Sequence, residues 1–363
     1  MRGLDLARPH EVDNPLKTNY SLKKNDKISL EEAGMSQPFY SNILITGGTG
    51  SFGSQAVRTI VERYEPKRLV VFSRDELKQY EMSQRLTGEK YKCVRYFLGD
   101  IRDLERLNLA FRDVNLVIHA AALKQVPAAE YNPFECIKTN ILGSQNVINA
   151  ALNNNVDKVL ALSTDKAVNP LNLYGATKLC SDKLFVNANV YAGNKPTKFS
   201  VVRYGNVIGS RGSVIPLFLR KRAEGRLPIT DPRMTRFWIT LDQGVAFVLS
   251  CIMNMRGGEI FVPKIPSMKI IDLARALAPE CELDIVGIRP GEKLHETMIP
   301  QGESRNTYDM GSYYVILPSF DFIKDVKDNY LSGKPVPDDF EYNSLDNKDW
   351  LSIEQLKEIS SLQ

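Results

Sequence analysis

Between Ser163 and Lys178 the chain reads STDKAVNPLNLYGATK. Two hydroxyls are followed at once by an acid and an amine, Asp165 and Lys166, and then by Tyr174 with Lys178 four positions on. At that spacing a tyrosine and a lysine share one face of a helix, and an ammonium near a phenol favours the phenolate. A phenol tuned in this way can take the proton of an alcohol as its hydride leaves. Asp165 and Lys166 add a charged pair at the same strand end, whose simplest reading is an ion pair capping a loop. Tyr-x-x-x-Lys by itself is common and often marks an ordinary amphipathic helix, so its meaning depends on the elements around it.

Those elements are legible. From Ile43 onward short apolar runs (NILIT, KRLVVFS, VRYFLG, NLVIHAAA, DKVLALS, FSVVRYG) alternate with amphipathic stretches. This rhythm predicts βαβ units, a parallel sheet and right-handed crossovers. The expected fold is therefore α/β, a Rossmann-like doubly wound parallel sheet with helices on both faces. In such sheets ligands bind at the C-terminal ends of the strands, which is where DKVLALS delivers Ser163, Thr164, Asp165 and Lys166.

The run TGGTGSFG follows NILIT and opens a helix. Gly47, Gly50 and Gly53 allow a tight turn, close approach of backbone to a pyrophosphate, and helix packing on the sheet. Thr49, Ser51 and Phe52 are expected to complete this cradle. After the second strand come Ser73, Arg74 and Asp75, with Lys78 one helical turn on. A guanidinium at Arg74 suits a ribose 2′-phosphate and predicts NADP, although Asp75 could still reach a 2′-hydroxyl as in NAD binders. Asp100 and Ile101 in GDIRD, then Ala120, Ala121 and Ala122 in HAAALKQV, end strands at the same crevice, and Asn140 is expected to join them. Asp100 could bond an adenine amino group or cap the helix that follows, a role also open to Asp103. Lys124 stands beside the crevice, whereas His119 is expected to face the core.

Composition narrows the function classes. The 363 residues are 43% hydrophobic and 25% charged with a net charge of +4, as in a globular chain with a sizeable core. Lys and Arg are dispersed, so nucleic acid is not implied, while an anionic substrate fits. The five cysteines (Cys93, Cys136, Cys180, Cys251, Cys281) contain no Cys-x-x-Cys pair, which predicts reduced thiols in a cytoplasm and neither zinc nor a disulfide framework. No apolar run approaches the roughly 20 residues of a membrane span; VAFVLSCIM, from Val245, is too short.

Residues 1–34 are mixed in charge, lack a signal-peptide core and precede the start-like Met35, so they are expected to be a flexible extension or leader. Residues 35–205 are expected to form the dinucleotide-binding domain. After Gly205 the alternation weakens and Pro, Arg and Gly become frequent, predicting a smaller α/β cap over 206–363 with some elements interleaved.

The combination of TGGTGSFG with the Ser163–Lys178 stretch resembles the extended short-chain dehydrogenase/reductase family. The segments ALSTDKAVNPLNLYGATKLCSDKLF, VVRYGNVIGSRGSVIP, ITDPRMTRFWIT, EIFVPKIPSMK and GIRPGEKLHE sharpen it to the branch of inverting UDP-N-acetylglucosamine 4,6-dehydratases. Retaining relatives often carry methionine where Tyr174 stands. Many sugar-nucleotide 4,6-dehydratases place an Asp-Glu pair where this chain has Asp165-Lys166. The resemblance implies that Tyr174 and Lys178 oxidise C4 and that Thr164 bonds the C4 oxygen. It further implies that Lys166 removes the C5 proton and that Asp165 protonates the departing C6 hydroxyl. For this, Lys166 must be neutral, its affinity for a proton lowered by burial or by Lys124 and Lys178, and Asp165 must be protonated.

The substrate implied is UDP-N-acetylglucosamine, held by Lys124, Asn206, Arg211, Val214, Thr230 and Arg289, with Glu292 on a ribose hydroxyl and Glu341 closing the site. The product would be a 6-deoxy-4-keto sugar of L configuration, the first step toward pseudaminic acid and flagellin glycosylation. A homo-oligomer built from dimers is implied, with a hexamer as one form. A retaining 4,6-dehydratase, a 4-epimerase and a non-catalytic NADP-binding regulator are the competing readings. Epimerisation needs no acid–base pair for water loss, and a regulator needs no Tyr174–Lys178 pair.

Overall fold

The computed structural model describes residues 40–209, 214–319, 326–330 and 332–361; the leader at 1–34 and Arg211 lie outside the described residues. NILIT forms β1 (Asn42–Thr46), which feeds helix α1 (Ser51–Tyr64). The step repeats in β2 (Arg68–Ser73) with α2 (Glu76–Arg85), and in β3 (Val94–Leu98) with α3 (Leu104–Ala110). Strand β4 (Leu116–His119) precedes α4 (Val126–Tyr131), α5 (Pro133–Ile137) and α6 (Gly143–Asn153). Strand β5 (Lys158–Thr164) runs through a short 3-10 turn at Asp165–Ala167 toward α7 (Leu173–Tyr191), and β6 (Lys198–Tyr204) ends the alternation.

Beyond Gly205 come β7 (Asn206–Val207), α8 (Val214–Arg222), β8 (Arg226–Ile229), β9 (Thr235–Ile239) and α9 (Leu241–Asn254). Then follow β10 (Ile260–Pro263), β11 (Ser267–Lys269), α10 (Ile270–Leu277), β12 (Glu282–Ile285) and β13 (Thr297–Ile299). The described chain closes with β14 (Thr307–Asp309), β15 (Tyr313–Ile316), β16 (Lys334–Pro335), β17 (Tyr342–Asn343) and α11 (Ile353–Ser361).

Ten strands make one sheet in the order β16-β14-β15-β10-β6-β5-β4-β1-β2-β3. From β10 to β3 every neighbouring pair is parallel, and β15, β14 and β16 extend the edge antiparallel. The parallel strands read as nearly continuous apolar runs because helices cover both faces, and Ile43, Leu44 and Ile45 are indeed fully buried. Strand β1 pairs with β2 on one side and β4 on the other, so the crossovers leave in opposite directions and open a crevice at the strand ends.

Residues 206–363 divide between this sheet and smaller ones. Strands β10, β14, β15 and β16 join the large sheet, whereas β11-β9-β7, β12-β8 and β13-β17 form separate small sheets. A second apolar cluster, including Ile215, Phe218, Leu227, Trp238 and Leu273, packs among the latter. The VAFVLSCIM run lies inside the 14-residue α9, and among the described residues no helix is long and apolar enough to cross a membrane.

Candidate active site

The turn after β1 is built for close approach. Gly47 has φ +67°, and a Cβ there would lie 2.9 Å from the Ala121 backbone; a Cβ on Gly53 would lie 2.5 Å from Gly48 Cα. Only glycine fits at either place, so β1, the loop and α1 are drawn against the end of β4. Helix α1 begins at Gly50 with no side-chain cap, leaving its N-terminal dipole for a ligand anion. Above it lies a cavity of about 890 Å³. Its wall takes in Gly47, Thr49, Gly50, Ser51, Phe52 and Gly53, then Ser73, Arg74, Asp75 and Lys78, then Asp100, Ile101 and Ala120 to Ala122.

At the adenosine end the carboxylates divide their work. Asp103 caps α3 by accepting from Arg106 N, so Asp100 is not the cap. Asp100 instead accepts from Arg102 Nε at 2.9 Å and lies 3.5 Å from Arg74 Nη1. Partial burial raises its proton affinity, but hydrogen bonds and charge from Arg102, with Arg74, hold the carboxyl below its usual range. Asp75 caps α2 by accepting from Lys78 N at 3.0 Å and pairs with the Lys78 ammonium. Arg74, about half exposed, and Lys78 are the cations on the cavity wall at this strand end, and Lys78 is already paired with Asp75.

Asn140 does not line the cavity. Its amide accepts from Leu123 N at 2.8 Å and donates to Leu123 O at 2.9 Å and Thr177 Oγ1 at 3.0 Å, so it shapes the loop that carries Lys124. Thr139, which does line the cavity, has a buried hydroxyl with no hydrogen-bond partner.

The other half of the cavity gathers Thr164, Lys166, Tyr174, Lys178, Lys124, Asn206 and Val214. Asn172 starts α7 by accepting from Gly175 N at 2.8 Å, and its own amide donates to Gly291 O at 2.8 Å. A Cβ on Gly175 would lie only 2.1 Å from Lys166 O, so the first turn of α7 rests on the backbone of the catalytic candidates. That contact sets Tyr174 beside Thr164 and Lys166.

Asp165 is fully buried and is not part of the cavity wall. It reaches the wall through two neighbours: Thr164 Oγ1 donates to its Oδ1 at 2.9 Å, and Lys166 Nζ donates to the same oxygen at 3.0 Å. Burial raises the Asp165 pKa, aided by Glu296 and opposed by Lys166, in the direction an acid requires. Lys166 departs from expectation. Burial does push its pKa down, but attraction to Asp165 and Glu296 outweighs this and holds the ammonium above its usual range. Asp165 is the larger of the two attractions, and it is joined by a carboxylate absent from the sequence reading: Glu296 Oε1 lies 3.4 Å from Lys166 Nζ.

Tyr174 differs as well. Burial raises its phenol to about 12, and the cation working against that is Lys166, with help from the Thr164 hydroxyl, rather than Lys178. Lys178 is buried, which lowers its pKa, and it faces Asp182. His119 is buried in the core as expected, paired through Nδ1 with Thr46 Oγ1 at 2.8 Å.

Four expected substrate anchors do not reach the cavity wall: Thr230, Arg289, Glu292 and Glu341. Thr230 donates to Met234 Sδ, Arg289 lies 3.8 Å from Glu292, and Glu341 accepts from Thr297 Oγ1 at 3.1 Å. Tyr204, Ile215 and Trp238 line the wall instead, apolar and aromatic positions that carry no chemical signature in sequence.

Known proteins are similar to this chain in sequence and fold. The chain is 59% identical over 327 residues to the inverting UDP-N-acetylglucosamine 4,6-dehydratase of Campylobacter jejuni subsp. jejuni serotype O:2, covering 88% of this chain and 96% of that one. It is 41% identical to a protein of Rickettsia felis named UDP-glucose 4-epimerase, covering 87% and 94%. The X-ray structure of Pen from Bacillus thuringiensis superposes with a TM-score of 0.81 at 34% identity, covering 89% of this chain and 98% of that one. The family model described as polysaccharide biosynthesis protein matches residues 43–318, and with these relatives it shows that the chain belongs to that family, within the extended short-chain dehydrogenases/reductases.

Proposed function

We propose that the protein is an NADP-dependent hydro-lyase that dehydrates UDP-N-acetylglucosamine across C5–C6 and inverts C5. The observation that carries this reading is one cavity that joins the glycine turn to Thr164, Lys166, Tyr174 and Lys178, with Asp165 3.0 Å from Lys166 at the end of β5. The relative at 59% identity is named an inverting UDP-N-acetylglucosamine 4,6-dehydratase.

The residues fit a nicotinamide dinucleotide. Gly47, Gly50 and the uncapped α1 terminus would hold the pyrophosphate, and Ala120 to Ala122 would flank it. Arg74 would take a 2′-phosphate, a reading favoured by Asp75 being engaged as a helix cap. Held there, an oxidised nicotinamide would supply the hydride chemistry, as acceptor for the C4 hydrogen and donor to C6.

Tyr174 removes the C4 hydroxyl proton, with Thr164 bonding the C4 oxygen. The resulting 4-keto group acidifies C5–H. A proton moved along the 3.0 Å bond from Lys166 to Asp165 creates a neutral amine and a neutral acid together. Lys166 then takes the C5 proton from the cavity side. The C6 oxygen leaves as water with the Asp165 proton, relayed through Thr164 once its hydroxyl, which donates to Asp165 in the resting site, turns to donate to the C6 oxygen and accept from the acid. With hydride returned to C6, a solvent-derived proton added to C5 from the face opposite Lys166 would give the L-configured 6-deoxy-4-keto sugar, the starting point the motifs imply for pseudaminic acid. Lys124, Asn206 and Val214, on the cavity wall, would hold the sugar end.

We place the enzyme in the cytoplasm, supported by five cysteines that are all free. We also propose a homo-oligomer, supported by Tyr131 and Phe134 exposed together at α4 and α5. Incubation with UDP-N-acetylglucosamine in deuterated water tests the chemistry. Loss of one water, deuterium at C5 and an L product by NMR are expected. Unchanged mass with C4 epimerisation would favour the second reading, for which the Rickettsia relative's name speaks.

A further inference from the structure

Behind Lys166, away from the cavity, lies a second carboxylate. Glu296 is 2% exposed and does not line the cavity. Its Oε1 lies 3.4 Å from Lys166 Nζ and 3.8 Å from Arg236 Nε, and Lys293 Nζ is 3.8 Å from Oε2. Oε2 itself has no hydrogen-bond partner, nor has Oδ2 of Asp165. The backbone around the carboxylate is fixed on both sides: Glu296 N donates to Ser344 Oγ at 2.9 Å, and Ser344 N donates to Glu296 O at 2.8 Å. Lys293 is fixed too, its ammonium donating to Val168 O beside the Asp165–Ala167 turn.

We propose that Glu296 is a positioning residue that holds Lys166 against Asp165 and sets how many protons that pair carries, with Lys293 as its counterweight. This rests on the dehydratase reading of the same site. The charges around the pair are Asp165, Lys166 and Glu296 themselves, Arg236 from β9, Lys293 from the loop before β13, Lys124 across the cavity and the Tyr174 phenol on α7. His295, next in sequence, turns away to Thr235 Oγ1 at 2.8 Å. Glu296 is therefore the one nearby carboxylate among the described residues that pairs with Lys166 besides Asp165.

The sign follows from electrostatics. An anion beside the pair makes each member hold its proton more tightly, and a cation makes each release it more readily. Lys166 carries burial's downward push but is held above its usual range by Asp165 and Glu296, and the Asp165 carboxyl is pushed up by burial and by Glu296. Taking away Glu296 lowers both proton affinities; taking away Lys293 raises both. The pair titrates as a unit, so both limbs of a pH profile move together whichever group each limb reports.

The experiment is the pH dependence of kcat/KM for water loss from UDP-N-acetylglucosamine by wild type, Glu296→Gln and Lys293→Met. Glu296→Gln is expected to move the whole bell at least half a pH unit to lower pH, and Lys293→Met to move it to higher pH. A fall in rate with both limbs unmoved, or a shift of the same sign in both variants, overturns the proposal. Should Glu296→Gln not fold, Lys293→Met with its opposite sign still decides. A second measurement does not depend on turnover: acetylation of Lys166 across pH, read by peptide mass spectrometry. Its midpoint is expected to fall in Glu296→Gln, and an unmoved midpoint overturns the role of Glu296. Wild type that loses no water, with the acetylation midpoint moved as expected, refutes the dehydratase reading alone.

Discussion

Lys166 Nζ and Asp165 Oδ1 are 3.0 Å apart, joined by a hydrogen bond between residues adjacent in sequence, with Lys166 facing the cavity and Asp165 sealed behind it. One proton moved along that bond arms both partners, the amine as a base and the carboxyl as an acid. Lys166→Met should therefore remove the C5 proton transfer and leave the dinucleotide site intact. Water loss and deuterium incorporation at C5 are expected to drop about 10²–10⁴-fold, the usual worth of a general base, while NADP binding by fluorescence titration stays within twofold. Deuterium still entering C5 at the wild-type rate would remove Lys166 from the mechanism.

The parallel part of the sheet was legible because most of its strands are covered on both faces, so each of the six apolar runs stands out and each is a strand in the fold. Tyr174 and Lys178 were legible because helical spacing alone places them together. Glu296 was not: a charged residue in a loop carries no periodicity, and only the fold brings the loop before β13 up to the Asp165–Ala167 turn. For the same reason Arg289, Glu292, Thr230 and Glu341, expected as substrate anchors, stand off the cavity wall: local spacing does not say where a loop residue ends up in the fold.

Arg74 lines the cavity just after β2 together with Lys78, whose backbone N and ammonium engage Asp75. Arg74→Ser should weaken NADP binding and leave NAD binding nearly unchanged. A charge-assisted hydrogen bond is worth about 1.5–3 kcal/mol, so the NADP dissociation constant is expected to rise roughly 10- to 100-fold. Equal weakening for both dinucleotides, measured by isothermal titration, would mean that Arg74 does not read the 2′-phosphate.

Gly175 opens α7 with its Cα so close to Lys166 O that an added Cβ would stand 2.1 Å from the oxygen. The obstacle is backbone, which cannot swing aside as a side chain could. Gly175→Ala must lift the first turn of α7 and Tyr174 with it. Its cost is expected in the overpacking range, about 1–3 kcal/mol, together with at least a tenfold loss of kcat. A control at Gly193, where an added Cβ meets nothing within 4 Å, tests space alone; because its φ is +55°, Gly193→Asn suits it better than alanine. A Gly175→Ala protein with the wild-type melting temperature and rate would disprove the close contact.

His119 offers a pH dependence whose sign can be worked through. Its ring is buried against Phe185, with Nδ1 bonded to Thr46 Oγ1, and burial, assisted by Lys178, lowers its pKa from 6.5 to about 3. In the unfolded chain it titrates near its ordinary value. Above about pH 6.5 both states carry neutral imidazole and the group has no pH-dependent effect. As pH falls from 6.5 toward 3, the unfolded state binds a proton that the folded state refuses, so stability is lost across that window. The slope from this one group approaches about 1.4 kcal/mol per pH unit. His119→Gln keeps a polar partner for Thr46 but cannot charge, so its urea midpoint should fall less steeply than wild type between pH 6.5 and 4, even if its stability at pH 7 is lower. Parallel curves for the two proteins would show that His119 takes up its proton in the folded state.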